Sequence, residues 1–96
     1  LKIQAMASAN GVRVLPHMWG TAIRLAATLH WQATIPDYPQ SLAPEPSLLE
    51  FDMTENKLRS ELAREPISMV DGAIAVPQEP GLGIEINRTV LEQYAL

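Results

Sequence analysis

The sequence predicts an α/β fold built from consecutive parallel βα units, and three observations carry that prediction. Val12-Arg13-Val14-Leu15 is a short apolar run that stops at Pro16 and presents His17 at its tip. A parallel strand buried on both faces is written as such a run rather than as an alternation. A stretch at helical spacing follows, with Ala22, Leu25, Ala26, Leu29 and Ala33 on one face. A second apolar run, Ser47-Leu48-Leu49-Glu50-Phe51, then carries a carboxylate near its end. Strand, helix and strand in that order read as a crossover unit.

Each element has its own signals. Leu1 to about Asn10 reads as the end of a helix, stopped at Asn10-Gly11 because glycine tolerates the left-handed conformation of a C-cap. Val12–Leu15 is the first strand. Gly20 or Thr21 opens the next helix, where Ile23, Ala27 and Trp31 widen the apolar surface beyond one stripe, as for a helix pressed from two sides. Pro36 ends it, and the four prolines from Pro36 to Pro46 dictate an irregular loop. Ser47–Phe51 is the second strand. Thr54 is a plausible N-cap for a short helix from Glu55 to about Arg64. After Pro66 the period changes to two. Ile67–Val70 and Ala73–Val76 flank Asp71-Gly72, which predicts a hairpin with a type I′ turn. Pro77–Gly83 is a Pro/Gly-rich loop that lets two chain segments approach closely, and Asn87 caps a last helix, Arg88–Tyr94.

Composition bounds the function classes. Ninety-six residues make at most one small domain, yet 47% are hydrophobic, more than a small free-standing domain easily buries. The chain opens on Leu1-Lys2-Ile3, without an initiator methionine, in what reads as the middle of a helix. The expectation is a piece of a larger protein. A net charge of −4 argues against a nucleic-acid surface. The absence of cysteine excludes a disulfide framework and a thiolate metal site and fits a cytoplasmic protein. The apolar run Ala22–Ile35 holds Arg24, His30 and Gln32 and is too short to span a bilayer, so no membrane partner is expected.

His17 is the first candidate for chemistry, since an imidazole at a strand end can take or give a proton near neutral pH. The alternative is a histidine satisfied by its neighbours at the close of a strand. Glu50 is the second candidate, against the alternative of a solvated or salt-bridged surface acid. His30, inside an apolar helix, reads as packing, and Asp52 as a loop or helix-start acid rather than a ligand.

Three motifs in order carry a resemblance: Val14-Leu15-Pro16-His17-Met18-Trp19-Gly20-Thr21, Leu48-Leu49-Glu50-Phe51-Asp52 and Pro80-Gly81-Leu82-Gly83-Ile84-Glu85-Ile86. Together they resemble the C-terminal part of the mandelate racemase/muconate lactonizing enzyme family of the enolase superfamily, most of all its members acting on acid sugars and their lactones. The resemblance implies a modified (β/α)7β barrel with an α+β capping domain. Residues 1–65 would be the end of the barrel, holding its seventh and eighth strands, and residues 66–96 a segment returning to the capping domain. A complete barrel takes about 250 residues, so most of the enzyme would lie upstream of Leu1.

The same resemblance implies the chemistry. Members remove the proton on the carbon next to a carboxylate, a weakly acidic proton, with Mg2+ to offset the charge that develops and a Lys or His as base. His17 would be the acid/base of the seventh strand, oriented by an upstream aspartate. Glu50 would hydrogen-bond a carboxylate oxygen of the substrate. To donate rather than accept it would have to be protonated, which burial beside other acids favours. Trp19 would line the substrate site or pack under the cap. No metal ligand is expected in this chain, because histidine is a poor Mg2+ ligand and the family's Mg2+ carboxylates lie on earlier strands. The expected partners are a small carboxylate substrate, the remainder of the polypeptide and a second copy in a homo-oligomer. The expected reaction is a dehydration or cycloisomerisation, with racemisation or epimerisation as the alternative within the family. A non-catalytic barrel or oligomer-interface protein is the rival reading, motivated by the apolar helix after residue 21.

Overall fold

A glycine decides where the first helix ends. In the computed structural model, which describes residues 1–38 and 43–95, α1 spans Lys2–Ala9 and Gly11 follows at φ +65°. The Gly11 amide donates to the Ser8 carbonyl and the Val12 amide to the Ala7 carbonyl. These two bonds satisfy the last helical carbonyls in a Schellman cap, as Asn10-Gly11 predicts.

The chain then forms the strand pair that positions the site. β1 (His17–Met18) pairs in parallel with β2 (Glu50–Phe51), in the register His17 to Glu50 and Met18 to Phe51. The Glu50 amide donates to the Pro16 carbonyl at 3.0 Å and the Asp52 amide to the Met18 carbonyl at 3.2 Å. The first strand therefore pairs later than the apolar run Val12–Leu15 predicts. A ladder exists only where a neighbouring strand meets it, and the partner available among the described residues arrives at Pro16.

Between the strands runs α2 (Ala22–Gln32), whose N-cap Thr21 accepts from the Arg24 amide. Its last turn tightens, with the Thr34 and Ile35 amides donating to the Trp31 and Gln32 carbonyls, before Pro36 stops it. The proline-rich loop begins and ends on an antiparallel bridge between Tyr38 and Glu45. The expected irregular stretch between those two residues lies largely outside the described residues. No helix among the described residues is long and apolar enough to cross a membrane.

The next helix is shorter than predicted. α3 covers Lys57–Ser60, capped by Asn56 rather than Thr54. Thr54 instead sits in a turn closed on Asp52, to which its hydroxyl and amide both donate. The chain leaves α3 early because Ala63 bridges to Ile86, with the Arg64 amide on the Glu85 carbonyl and the Asn87 amide on the Leu62 carbonyl. The hairpin follows as β3 (Met69–Val70) and β4 (Ala73–Ile74), antiparallel, with Asp71 at φ +51° and Gly72 at φ +78°. Both central residues have positive φ, which defines the expected type I′ turn. α4 (Arg88–Gln93) is capped by Asn87 as predicted.

Two apolar clusters hold these elements together. Met18, Leu25 and Leu29 form one, joined by Leu49, Phe51, Ile67, Ile74 and Val76. Ala22, Leu62, Ala63 and Val90 form the other, joined by Ile84 and Ile86. α2 contributes to both, so the hairpin and the C-terminal helix pack on the helix that links the strand pair. His30 secures the far side: its Nε2 lies 3.2 Å from the Leu82 carbonyl, which ties α2 to the Pro80–Ile86 segment.

That segment carries a testable constraint. Gly83 has φ +69°, and a Cβ there would sit 2.5 Å from Pro77 Cβ and 2.9 Å from its carbonyl carbon. Gly81, at φ +76°, faces open space. Gly83→Ala is expected to destabilise the protein by about 2–4 kcal/mol, combining backbone strain with overpacking. Gly81→Ala should cost only the backbone part, about 1–2 kcal/mol. Urea unfolding of both variants checks the difference.

Candidate active site

The strand register creates the site. Successive strand residues point to opposite faces, so with Met18 buried in the first cluster, His17 stands on the other face. Glu50 is its ladder partner and projects beside it. His17 Nδ1 lies 3.0 Å from Glu50 Oε2, with the two side chains 60% and 71% exposed. The structure thus brings together the two sequence-predicted candidates, thirty-three positions apart, as the first ladder pair of two short parallel strands. Trp19 follows two residues after His17 and is 62% exposed. The burial expected around Glu50 is not supplied by the described residues of this chain.

A carboxylate on Nδ1 has a definite chemical consequence. It fixes the imidazole with Nδ1 as the hydrogen-bonding nitrogen and leaves Nε2 as the one that exchanges a proton with another molecule.

Below this pair lies a cluster that the sequence reading passed over. Asp52 accepts from the Thr54 amide at 2.9 Å, from the Thr54 hydroxyl at 2.7 Å and from Arg59 Nη1 at 2.5 Å. Arg59 Nη2 also donates to the Thr54 carbonyl, and the guanidinium lies 5.5 Å from the centroid of the Phe51 ring. Asn56 Nδ2 donates to the Gly20 carbonyl at 3.3 Å. The Arg59 and Asp52 side chains are 12% and 11% exposed. The reading of Asp52 as a loop acid stands, and its partners now explain it. The available signal was Asp52-x-Thr54, the spacing of an Asx-type turn; Arg59, seven positions on, gave no local signal.

These bonds give a pH dependence. The Thr54 amide first, then the Thr54 hydroxyl and the Arg59 guanidinium, hold the Asp52 carboxyl below the usual carboxylate range, against the opposing effect of desolvation. A carboxyl lowered on folding stabilises the fold fully above its unfolded value of about 3.9. That contribution is lost as pH falls through the lowered value. Asp52→Asn should therefore flatten the acid limb of stability, read from unfolding midpoints between neutral and strongly acidic pH.

Among the described residues no group of three or more His, Cys, Asp or Glu side chains converges. The Asp52 carboxylate is committed to Thr54 and Arg59. The donor set does not fit an oxygen-rich Mg2+ site.

With the parallel strand pair and its His–Glu tip in place, comparison with known proteins gives the class. The enolase C-terminal domain-like profile matches residues 1–90, and the chain belongs to that family, within the enolase superfamily. Among individual relatives, the D-galactarolactone cycloisomerase of Agrobacterium fabrum is 41% identical over 95 residues, 99% of this chain and 25% of that protein. The arabinonate dehydratase of Saccharolobus solfataricus is 31% identical over 94 residues, 98% of this chain and 23% of that protein. The crystal structure of the 3,6-anhydro-D-galactonate cycloisomerase from Zobellia galactanivorans superposes with a TM-score of 0.77 at 34% identity, covering 97% of this chain and 24% of that one. The chain spans about a quarter of the length of the relatives it matches.

Proposed function

We propose that this chain is the C-terminal part of an enzyme that removes the proton alpha to the carboxylate of an acid sugar or its lactone, in a dehydration or cycloisomerisation. The observation that carries the reading is the 3.0 Å contact of His17 Nδ1 with Glu50 Oε2 on paired parallel strands. The relatives support it, since they are named as cycloisomerases and dehydratases of sugar acids.

In this reading the strand pair is the seventh and eighth strands of a (β/α)7β barrel, with residues 66–96 returning to a capping domain. His17 and Glu50 then stand at the C-terminal mouth, where barrel active sites form. Leu15 and Leu48, each two residues before a site residue, are exposed in this chain, as interior-facing positions awaiting the rest of a barrel would be. His17 Nε2 takes the α-proton, and the electron pair it leaves spreads into the carboxylate as an enediolate. The imidazolium so formed faces the Glu50 side chain. Glu50 in its protonated form accepts from His17 Nδ1 on Oε2 and donates from Oε1 to a substrate carboxylate oxygen. Trp19 lines the mouth. Mg2+, generally used in the superfamily, would offset the charge of the dianionic enediolate, on ligands outside this chain. Loss of a β-hydroxyl gives dehydration, whereas attack or expulsion of a ring oxygen gives cycloisomerisation.

The test follows the complete protein with Mg2+ by proton NMR against a panel of sugar acids and their lactones. Turnover of a member, abolished by EDTA, is the expected result; no turnover across the panel would overturn the reading.

A further inference from the structure

Two loops leave the strand pair, and one network joins them. The loop after β2 is held by Asp52, two residues beyond Glu50, through Thr54 and both terminal nitrogens of Arg59. The loop after β1 is held at the Gly20 carbonyl by Asn56, whose side-chain oxygen also caps α3 by accepting from the Arg59 amide. Both anchors thus converge on the first turn of one short helix. A buried ion pair of this kind adds little net stability over an apolar pair of similar shape. The planar guanidinium fork, however, fixes direction as well as distance.

We propose that Arg59 is a positioning residue that sets the His17–Glu50 separation, holding the β2 exit through Asp52 and Thr54 while its own helix holds the β1 exit through Asn56. The inference rests on the reading of His17 and Glu50 as the reacting pair. Arg59 acts through Asp52 and Thr54 and is not itself catalytic. Arg59→Lys keeps a cation for Asp52 but lacks the second donor for the Thr54 carbonyl. The pair Asp52→Asn/Arg59→Met removes both charges and leaves no orphaned ion.

The experiment compares both variants with wild type in the complete protein, by the imidazole nitrogen resonances of His17 without substrate and by kcat and KM. Displacement of reacting groups by about 1 Å costs about 100-fold in rate. The double variant should therefore lose about 100-fold in kcat with KM within about threefold, and its His17 Nδ1 resonance should move. Arg59→Lys should recover to within about tenfold of wild type, with an intermediate His17 signal. A purely structural role predicts wild-type kcat per folded molecule and an unmoved His17 signal in both, and that result overturns the proposal. Should the double variant not fold, Arg59→Lys decides alone: a moved resonance and lowered kcat support positioning, and wild-type values for both overturn it. The His17 signal needs no substrate, so a moved resonance in a protein inactive on every sugar acid sinks the functional reading and leaves positioning standing.

Discussion

His17→Asn in the complete protein is expected to lower kcat by about 100- to 10,000-fold, the usual worth of one positioned acid–base group. The substitution is a narrow one. Asparagine keeps a planar polar group able to donate to Glu50, so the paired strands should persist and the thermal midpoint should stay close to wild type. Mg2+ affinity, measured by calorimetric titration, should also be unchanged, because an imidazole is a poor Mg2+ ligand. Loss of turnover with retained folding and retained metal affinity separates a missing proton acceptor from general damage.

Glu50→Leu carries the second large effect, an expected loss of about 100- to 1,000-fold in kcat, comparable to removing one hydrogen-bond donor from a developing oxyanion. Glu50 serves two partners. One oxygen meets His17 Nδ1 at 3.0 Å, and in the proposed mechanism the other donates to the substrate carboxylate. Glutamine still accepts from His17 Nδ1 and donates to that carboxylate, so Glu50→Gln should stay within about tenfold of wild type. Glu50→Asp keeps the carboxyl but withdraws it by one methylene, and should fall between glutamine and leucine. Steady-state kinetics of the three variants on the same substrate distinguish loss of the hydrogen bond from loss of reach.

Local signals foretold the elements whose causes are local. Asn10-Gly11 ends α1, Asp71-Gly72 turns the hairpin and Asn87 caps α4, each through a single residue's conformational or hydrogen-bonding preference. Where the cause lies far along the chain, the sequence misled. Thr54 and Asn56 are both good N-caps, but Thr54 lies in the turn closed on Asp52 and the helix starts only after Asn56. The run Val12–Leu15 looks like a strand, but ladder pairing among the described residues begins at Pro16 because that is where Glu50 arrives. The end of α3 is set by Ile86, more than twenty residues later, bridging to Ala63.

The same division holds in the site. His17 and Glu50 could each be singled out, since a titratable group closing an apolar strand is visible in one line of sequence. Their mutual contact could not, because it depends on the parallel register that sets residue 17 opposite residue 50. Arg59 was missed for a related reason. A single arginine in a short polar helix reads as solvated, and only the folded chain shows its guanidinium nearly buried between Asp52, Thr54 and Phe51.

The central claim is that His17 removes a proton alpha to a carboxylate. Its most direct measurement is the rate of α-proton exchange in D2O on the substrate that the complete protein turns over, for wild type and His17→Asn side by side. The account predicts exchange or loss of the α-proton in wild type and a fall of at least about 100-fold in the variant; equal rates in the two proteins would contradict it.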